Sequence, residues 1–130
     1  MERAIEMLFG VQFLIFGASH VLRPRDWVDF FVRLRGLGYA GVFLNGLLPL
    51  VGGSMIVSLH PVWSGPPLVL TLLGCCFLAK SVLCLCFPAV HLKSLQRINL
   101  EKAWAFQVAG GVLFALGAFS LYLAFERPSS

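Results

Sequence analysis

The stretch from Pro66 to Pro88, PPLVLTLLGCCFLAKSVLCLCFP, is an apolar run broken by a single charge, Lys80. A helix needs roughly 20 apolar residues to cross a bilayer core of about 30 Å, and this run supplies them. An ammonium at that depth in hydrocarbon costs a few kcal/mol even on the lenient insertion scale. The other helices, or water, are therefore expected to serve Lys80. The whole chain is built in the same way: 58% of its 130 residues are hydrophobic and 12% charged, and the mean hydropathy is +0.86. That is too apolar for a soluble domain of this size. Four spans can be cut from it, at about 4–22, 38–59, 67–87 and 103–125, with little left for a soluble domain. The expected fold is all-α, one transmembrane domain over 1–130, a four-helix bundle running up-down-up-down.

The first residues, Met-Glu-Arg-Ala-Ile-Glu, lack the basic start and small-residue cleavage site of a secretory signal, so the first helix is expected to be retained. The formal charge of +4 is not a nucleic-acid signal, because the basic residues lie in short loops beside apolar runs. It is an orientation signal. In a four-span hairpin array, Arg3 and Arg127 fall on one face, and Arg23, Arg25, Arg33, Arg35, Lys93, Arg97 and Lys102 on the other. Seven against two places the first and third loops in the cytoplasm and both termini outside, in a cell inner (cytoplasmic) membrane.

The first span carries Glu6, Gly10, Phe13, Gly17 and His20 at spacings of four and three, with Gln12 and Ser19 on the adjoining flank. Glycines seven apart on one face admit a neighbouring backbone, so this stripe reads first as a packing seam. Pro24 stops the span, and RDWVDFFVRLRG follows. On a helical wheel Trp27, Phe30, Phe31 and Leu34 fall together, away from Arg25, Asp26, Asp29, Arg33 and Arg35. A short interfacial amphipathic helix over about 25–35 is expected between the first two spans, its Arg25, Arg33 and Arg35 favouring anionic lipid.

The second span places Gly38, Gly41, Asn45, Pro49 and Gly52 on one face. Pro49 removes a backbone donor and frees a carbonyl near Asn45, which should face the bundle. His60 and Trp63, in the uncharged outer connection, fit an interfacial belt. The third span holds all four cysteines, with Cys76, Lys80 and Cys84 on one face. Vicinal thiols bind soft ions, but no second cysteine pair on another segment completes a zinc-type set. The cysteines read as small hydrophobes. No metal and no cofactor are expected. The third loop, HLKSLQRINLEKA, is polar and basic, with Asn99 as the cap of the last helix. That helix sets Gln107, Gly110, Phe114 and Gly117 on one face and Trp104, Gly111, Ala115 and Ala118 on another, the second suited to another subunit. Every span ends in proline, at Pro24, Pro61, Pro88 and Pro128, and the last residues read as a disordered end.

Each span offers a polar residue within it: Gln12, Asn45, Lys80 and Gln107. At about 1.5 Å per residue, Asn45 and Lys80 both lie roughly 10–12 Å from the cytoplasmic end. The five residues Lys80, Asn45, Gln107, Gln12 and His20 are expected to form one polar, ligand-binding centre, with His20 at its rim.

The four-span length, the run Gly10-Val-Gln-Phe-Leu-Ile-Phe-Gly17-Ala-Ser-His20-Val-Leu-Arg-Pro24 and the amphipathic segment after it resemble the DoxX-like family of small bacterial membrane proteins. The resemblance implies an accessory subunit, in some relatives of a membrane oxidoreductase system handling sulfur compounds or quinones. Any redox role would then rest on a partner protein. Three function classes remain open: an accessory or small-hydrophobic-ligand-binding bundle; an oligomeric transporter or channel using Lys80; and an enzyme. The last is disfavoured by the lack of a membrane-embedded nucleophile with its base, a carboxylate pair or a histidine-rich cluster.

Overall fold

The computed structural model describes residues 2–126, apart from the side chain of Leu100. Arg127, Pro128 and the end expected to be disordered lie outside the described residues. Among the described residues there are six α-helices: α1 (Glu2–Leu22), α2 (Pro24–Gly36), α3 (Tyr39–Leu59), α4 (Leu68–Cys86), α5 (Pro88–Leu95) and α6 (Ala103–Glu126), with a short 3-10 turn at Leu100–Lys102 before α6. The helices α1, α3, α4 and α6 are long and apolar enough to cross a membrane.

Three helices end for one physical reason. A proline ring clashes with helical geometry at the residue before it, and Arg23, His60 and Phe87 all leave the helix at φ −130 to −134° or close by, with ψ 53–59°. After Pro24 and Pro88 the chain turns straight into a new helix with the proline in its first turn, where a missing N–H costs nothing. These prolines therefore start elements as well as stopping them. The third connection, expected to be a polar loop, contains the helix α5, and its buried Leu95 shows why it forms: Leu95 joins Val42 and Cys84 in a small core, against Leu92, Phe31 and Ile98. Asn99, expected to cap the last helix, caps the 3-10 turn that leads into it, its Oδ1 accepting from the Lys102 N–H at 3.2 Å.

The long helices associate chiefly as two pairs, α1 with α6 and α3 with α4. In the first pair Gly17 lies against Gly110 and Gly10 against Gly117, so the two helices run antiparallel. The seam is backbone on backbone: a Cβ added at Gly17 would stand 2.5 Å from the Phe114 nitrogen and 2.6 Å from the Gly110 oxygen. Close approach of this kind supplies dispersion contact where lipid gives no hydrophobic drive. In the second pair Gly46 meets Cys84, and Gly53 meets the Gly74 carbonyl. Ser81 adds a hydrogen bond to the Gly46 carbonyl at 3.2 Å, one residue beyond the carbonyl that Pro49 deprives of its helical donor. The two pairs meet in a core of Ile5, Phe9 and Phe13 from α1, Ile56 from α3 and Leu70 from α4.

At the end of the bundle where the first and third connections lie, α2 packs on α1, α3, α5 and α6. Its Val28 and Leu34 are buried. The turn into α3 needs φ +64° at Gly38, and Gly41 then lets α3 ride directly on the Leu34 carbonyl. Arg35 ties this cap to the third connection, donating to the Gln96 and Ile98 carbonyls at 3.4 and 3.2 Å. Arg25, Arg33, Lys93, Arg97 and Lys102 are exposed around it, which makes this the basic end.

Candidate functional site

The residues expected to converge on one polar centre divide between two places. Asn45 of α3 and Lys80 of α4 are both near His91 of α5. His20 and Gln107 lie on α1 and α6, on the other helix pair. Gln12 is exposed midway along α1.

The first place includes a residue from the third connection, His91. Because α5 folds back against α3 and α4, His91 reaches Asn45, whose Nδ2 amide donates to the ring Nε2 at 2.8 Å. With Nε2 accepting, the neutral ring carries its proton on Nδ1 and presents it as a donor. Lys80 is half-buried and near enough for its charge to act on both Cys84, one turn further along α4, and His91. Burial first, and the Lys80 charge second, hold His91 below the ordinary histidine range. Lys80 makes no hydrogen bond or ion pair among the described residues. The only hint of His91 in the sequence was its position, three residues after a proline that a helix could start from. Of the cysteines, Cys84 is buried, Cys75 is half-buried, Cys76 and Cys86 are exposed, and all four are free thiols. Among the described residues no group of three metal-ligating side chains comes together.

The second place is aromatic. His20 donates from Nδ1 to the Phe16 carbonyl at 2.7 Å, and its ring lies parallel to that of Trp27, with centroids 4.1 Å apart and 14° between planes. Phe106 of α6 stacks more distantly, at 6.2 Å. Trp27 in turn donates from Nε1 to Ser19 Oγ at 2.8 Å. This stack fixes α2 to the ends of α1 and α6. Beside it runs a shallow, open groove of about 330 Å³ lined by Ser19, Arg23, Asp26, Trp27 and Phe30, with Arg23 and Asp26 paired across it. Gln107 is spent on main chain, donating to the Val21 carbonyl at 3.3 Å.

A third polar group sits at the opposite end of the bundle. His60 does not lie in an interfacial belt: it is fully buried, with Nε2 3.0 Å from Glu6 Oε1 and Nδ1 3.1 Å from Thr71 Oγ1. Trp63 is exposed. The three residues come from the start of α1, the end of α3 and the start of α4, and all have no exposed surface. A threonine, a histidine and a glutamate in line look like a nucleophile with its base and orienting acid. The proton directions rule that out. The Thr71 hydroxyl donates to the His60 carbonyl at 2.9 Å, so it must accept from His60 Nδ1, which is then no base toward Thr71. On its other side the ring faces Glu6, with Nε2 3.0 Å from Oε1. Glu6 stands near the start of α1 and His60 just past the end of α3, an acid and a base at the ends of two long apolar helices, which is the signal that would have paired them.

No protein-family model matches the chain, no curated protein matches it, and no solved structure matches it.

Proposed function

We propose that the chain is a small multi-pass membrane protein with a binding rather than a catalytic role, taking up a small hydrophobic ligand at its basic end. One observation carries this reading: Asn45, His91 and Lys80 form a half-buried polar cluster on otherwise apolar helices, and Lys80 uses none of its three donors among the described residues. Polar groups at such depth are expensive, and a ligand that meets them recovers the cost.

On this reading the four long helices cross a cell inner membrane up-down-up-down and α2 lies at the cytoplasmic interface, where Arg25, Arg33 and Arg35 attract anionic lipid. Both termini face outside. The charge bias between connections supports that orientation, and the mixed apolar and basic faces of α2 support its place. Of those arginines, Arg35 is already engaged by the third connection, so Arg25 and Arg33 are the freer cations. The DoxX-like resemblance of residues 10–24 adds an accessory role beside a membrane oxidoreductase. A homo-oligomer would use the exposed α6 seam of Trp104, Gly111, Ala115 and Ala118.

Native mass spectrometry in mild detergent tests the reading directly. A stoichiometric small molecule retained by the wild-type protein is the expected result. A bare protein that instead conducts ions in liposomes, with conduction lost in Lys80→Ala, would replace it with a transporter or channel.

A further inference from the structure

The reading above leaves the chemistry of the ligand open, and the distribution of carboxylates narrows it. Between Asp29 and Glu101 the chain contains no aspartate and no glutamate. The helices α3, α4 and α5 therefore bring cations and neutral donors to the Lys80 cluster and nothing of opposite charge. Asp29 and Glu101 are exposed, and Lys80 pairs with no carboxylate among the described residues. Cys84, the nearest acidic group along α4, is a wholly buried thiol. A half-buried ammonium with no counter-charge is a poor resting state, because the desolvation it suffers is repaid only by a close opposite charge with hydrogen bonds.

We propose that Lys80 is the counter-ion for the phosphodiester headgroup of one anionic phospholipid, seated where α3, α4 and α5 meet. This rests on the binding role proposed above and adds its ligand class. The charge count favours a monoanion: one phosphodiester against one ammonium leaves a neutral pair, whereas a doubly charged head would leave a net charge in the same apolar setting. The Nδ1–H of His91 adds a neutral donor, fixed in that tautomer by the Asn45 amide on Nε2. The level is within reach of a headgroup, since α5, itself part of a basic connection, descends far enough to bond Asn45. Exposed Leu44, Leu48, Val82 and Leu83 offer apolar helix surface for the acyl chains. Exposed Arg25, Arg33, Lys93 and Arg97 enrich anionic lipid around this end, through diffuse attraction that salt screens.

Native mass spectrometry of the full chain, titrated in turn with phosphatidylglycerol, phosphatidylcholine, oleate and inorganic phosphate, tests this. One phosphatidylglycerol should be retained with at least about tenfold preference over phosphatidylcholine, a difference of about 1.4 kcal/mol. Lys80→Met should abolish the preference, Lys80→Arg should keep most of it, and a double Arg25→Gln, Arg33→Gln variant should keep the single tight lipid. Equal retention of phosphatidylglycerol by Lys80→Met, or its loss only in the double arginine variant, overturns the assignment. So does displacement by oleate or by inorganic phosphate at comparable concentration, which would make the ligand a fatty acid or a free anion. Should Lys80→Met not survive extraction, the wild-type comparison decides, and equal retention of the two phospholipids overturns the assignment. A neutral compound retained by wild type and Lys80→Met alike would sink this inference and leave the binding role standing. A bare wild-type protein would sink both.

Discussion

Glu6 and His60 are each enclosed completely by the protein, and each is the other's ionisable partner. Removing one member of such a pair leaves the other buried without it, a loss of about 3 kcal/mol. Glu6→Ala should therefore lower the unfolding midpoint in detergent sharply. Glu6→Gln should lose far less, because its amide can donate to Nε2 while Nδ1 remains on Thr71. Thermal unfolding followed by circular dichroism compares the two, and equal losses would mean that volume rather than hydrogen bonding matters there. His91 gives a pH prediction of definite sign. Its folded-state proton affinity is depressed, so its contribution to stability is complete above the ordinary histidine range and is lost as pH falls through the lower, folded value. Protonation would also cost the bond Nε2 accepts from Asn45. Acidifying below about pH 6.5 should destabilise wild type more than His91→Gln; parallel pH profiles for the two proteins would refute it. The common depth of Asn45 and Lys80 was legible from their spacing along the spans. His91 was not, because it stands on a connection, and hydropathy along a sequence does not show that a connection folds back to the level of a span.

At the scale of helices the sequence was more informative, since a glycine repeat of seven reports on packing wherever it occurs on an apolar helix. Gly10 and Gly17 on α1 and Gly110 and Gly117 on α6 were all visible as seams, though which helix met which was not. Two variants separate seam from surface. Gly17→Ile would drive its Cβ into the Phe114 main chain, which cannot swing aside, and should cost more than about 2 kcal/mol. Gly111, one residue from the seam, has nothing within 4 Å of a Cβ. Gly111→Ala should change stability by less than about 1 kcal/mol, in the stabilising direction if helix propensity decides. Unfolding in sodium dodecyl sulfate mixtures reads both, and a strong loss from Gly111→Ala in a protein that migrates as a dimer would assign that face to a second subunit. Boundaries were legible where proline stood, but each proline was ambiguous between stop and start. Pro61 has an uncharged, glycine- and proline-containing segment behind it and no helix follows. Pro24 and Pro88 have apolar residues at helical spacing behind them, and helices follow at once.

For the molecule as a whole, the count of spans and the gathering of arginine and lysine at one end came from composition and spacing. The division into two helix pairs did not, because it depends on which faces meet across distances in sequence that no local pattern encodes. A reporter fused after Ser130 should signal from outside the cytoplasm, and a cytoplasmic signal would reverse the assignment of the basic end. The pairing of α1 with α6 also has a bearing on time. The α3 and α4 helices are neighbours in sequence and can close on each other as soon as both have emerged. The α1 helix instead has as its main partner α6, which begins only at Ala103. At a synthesis rate of about 5–20 residues per second, α1 waits on the order of ten seconds with its glycine groove facing lipid or the insertion machinery before α6 arrives to fill it. A chain truncated before Ala103 should thus be a substrate for membrane quality control, degraded quickly in pulse-chase labelling while one that includes α6 persists, so that the clasp of α1 by α6 would decide which copies the cell keeps.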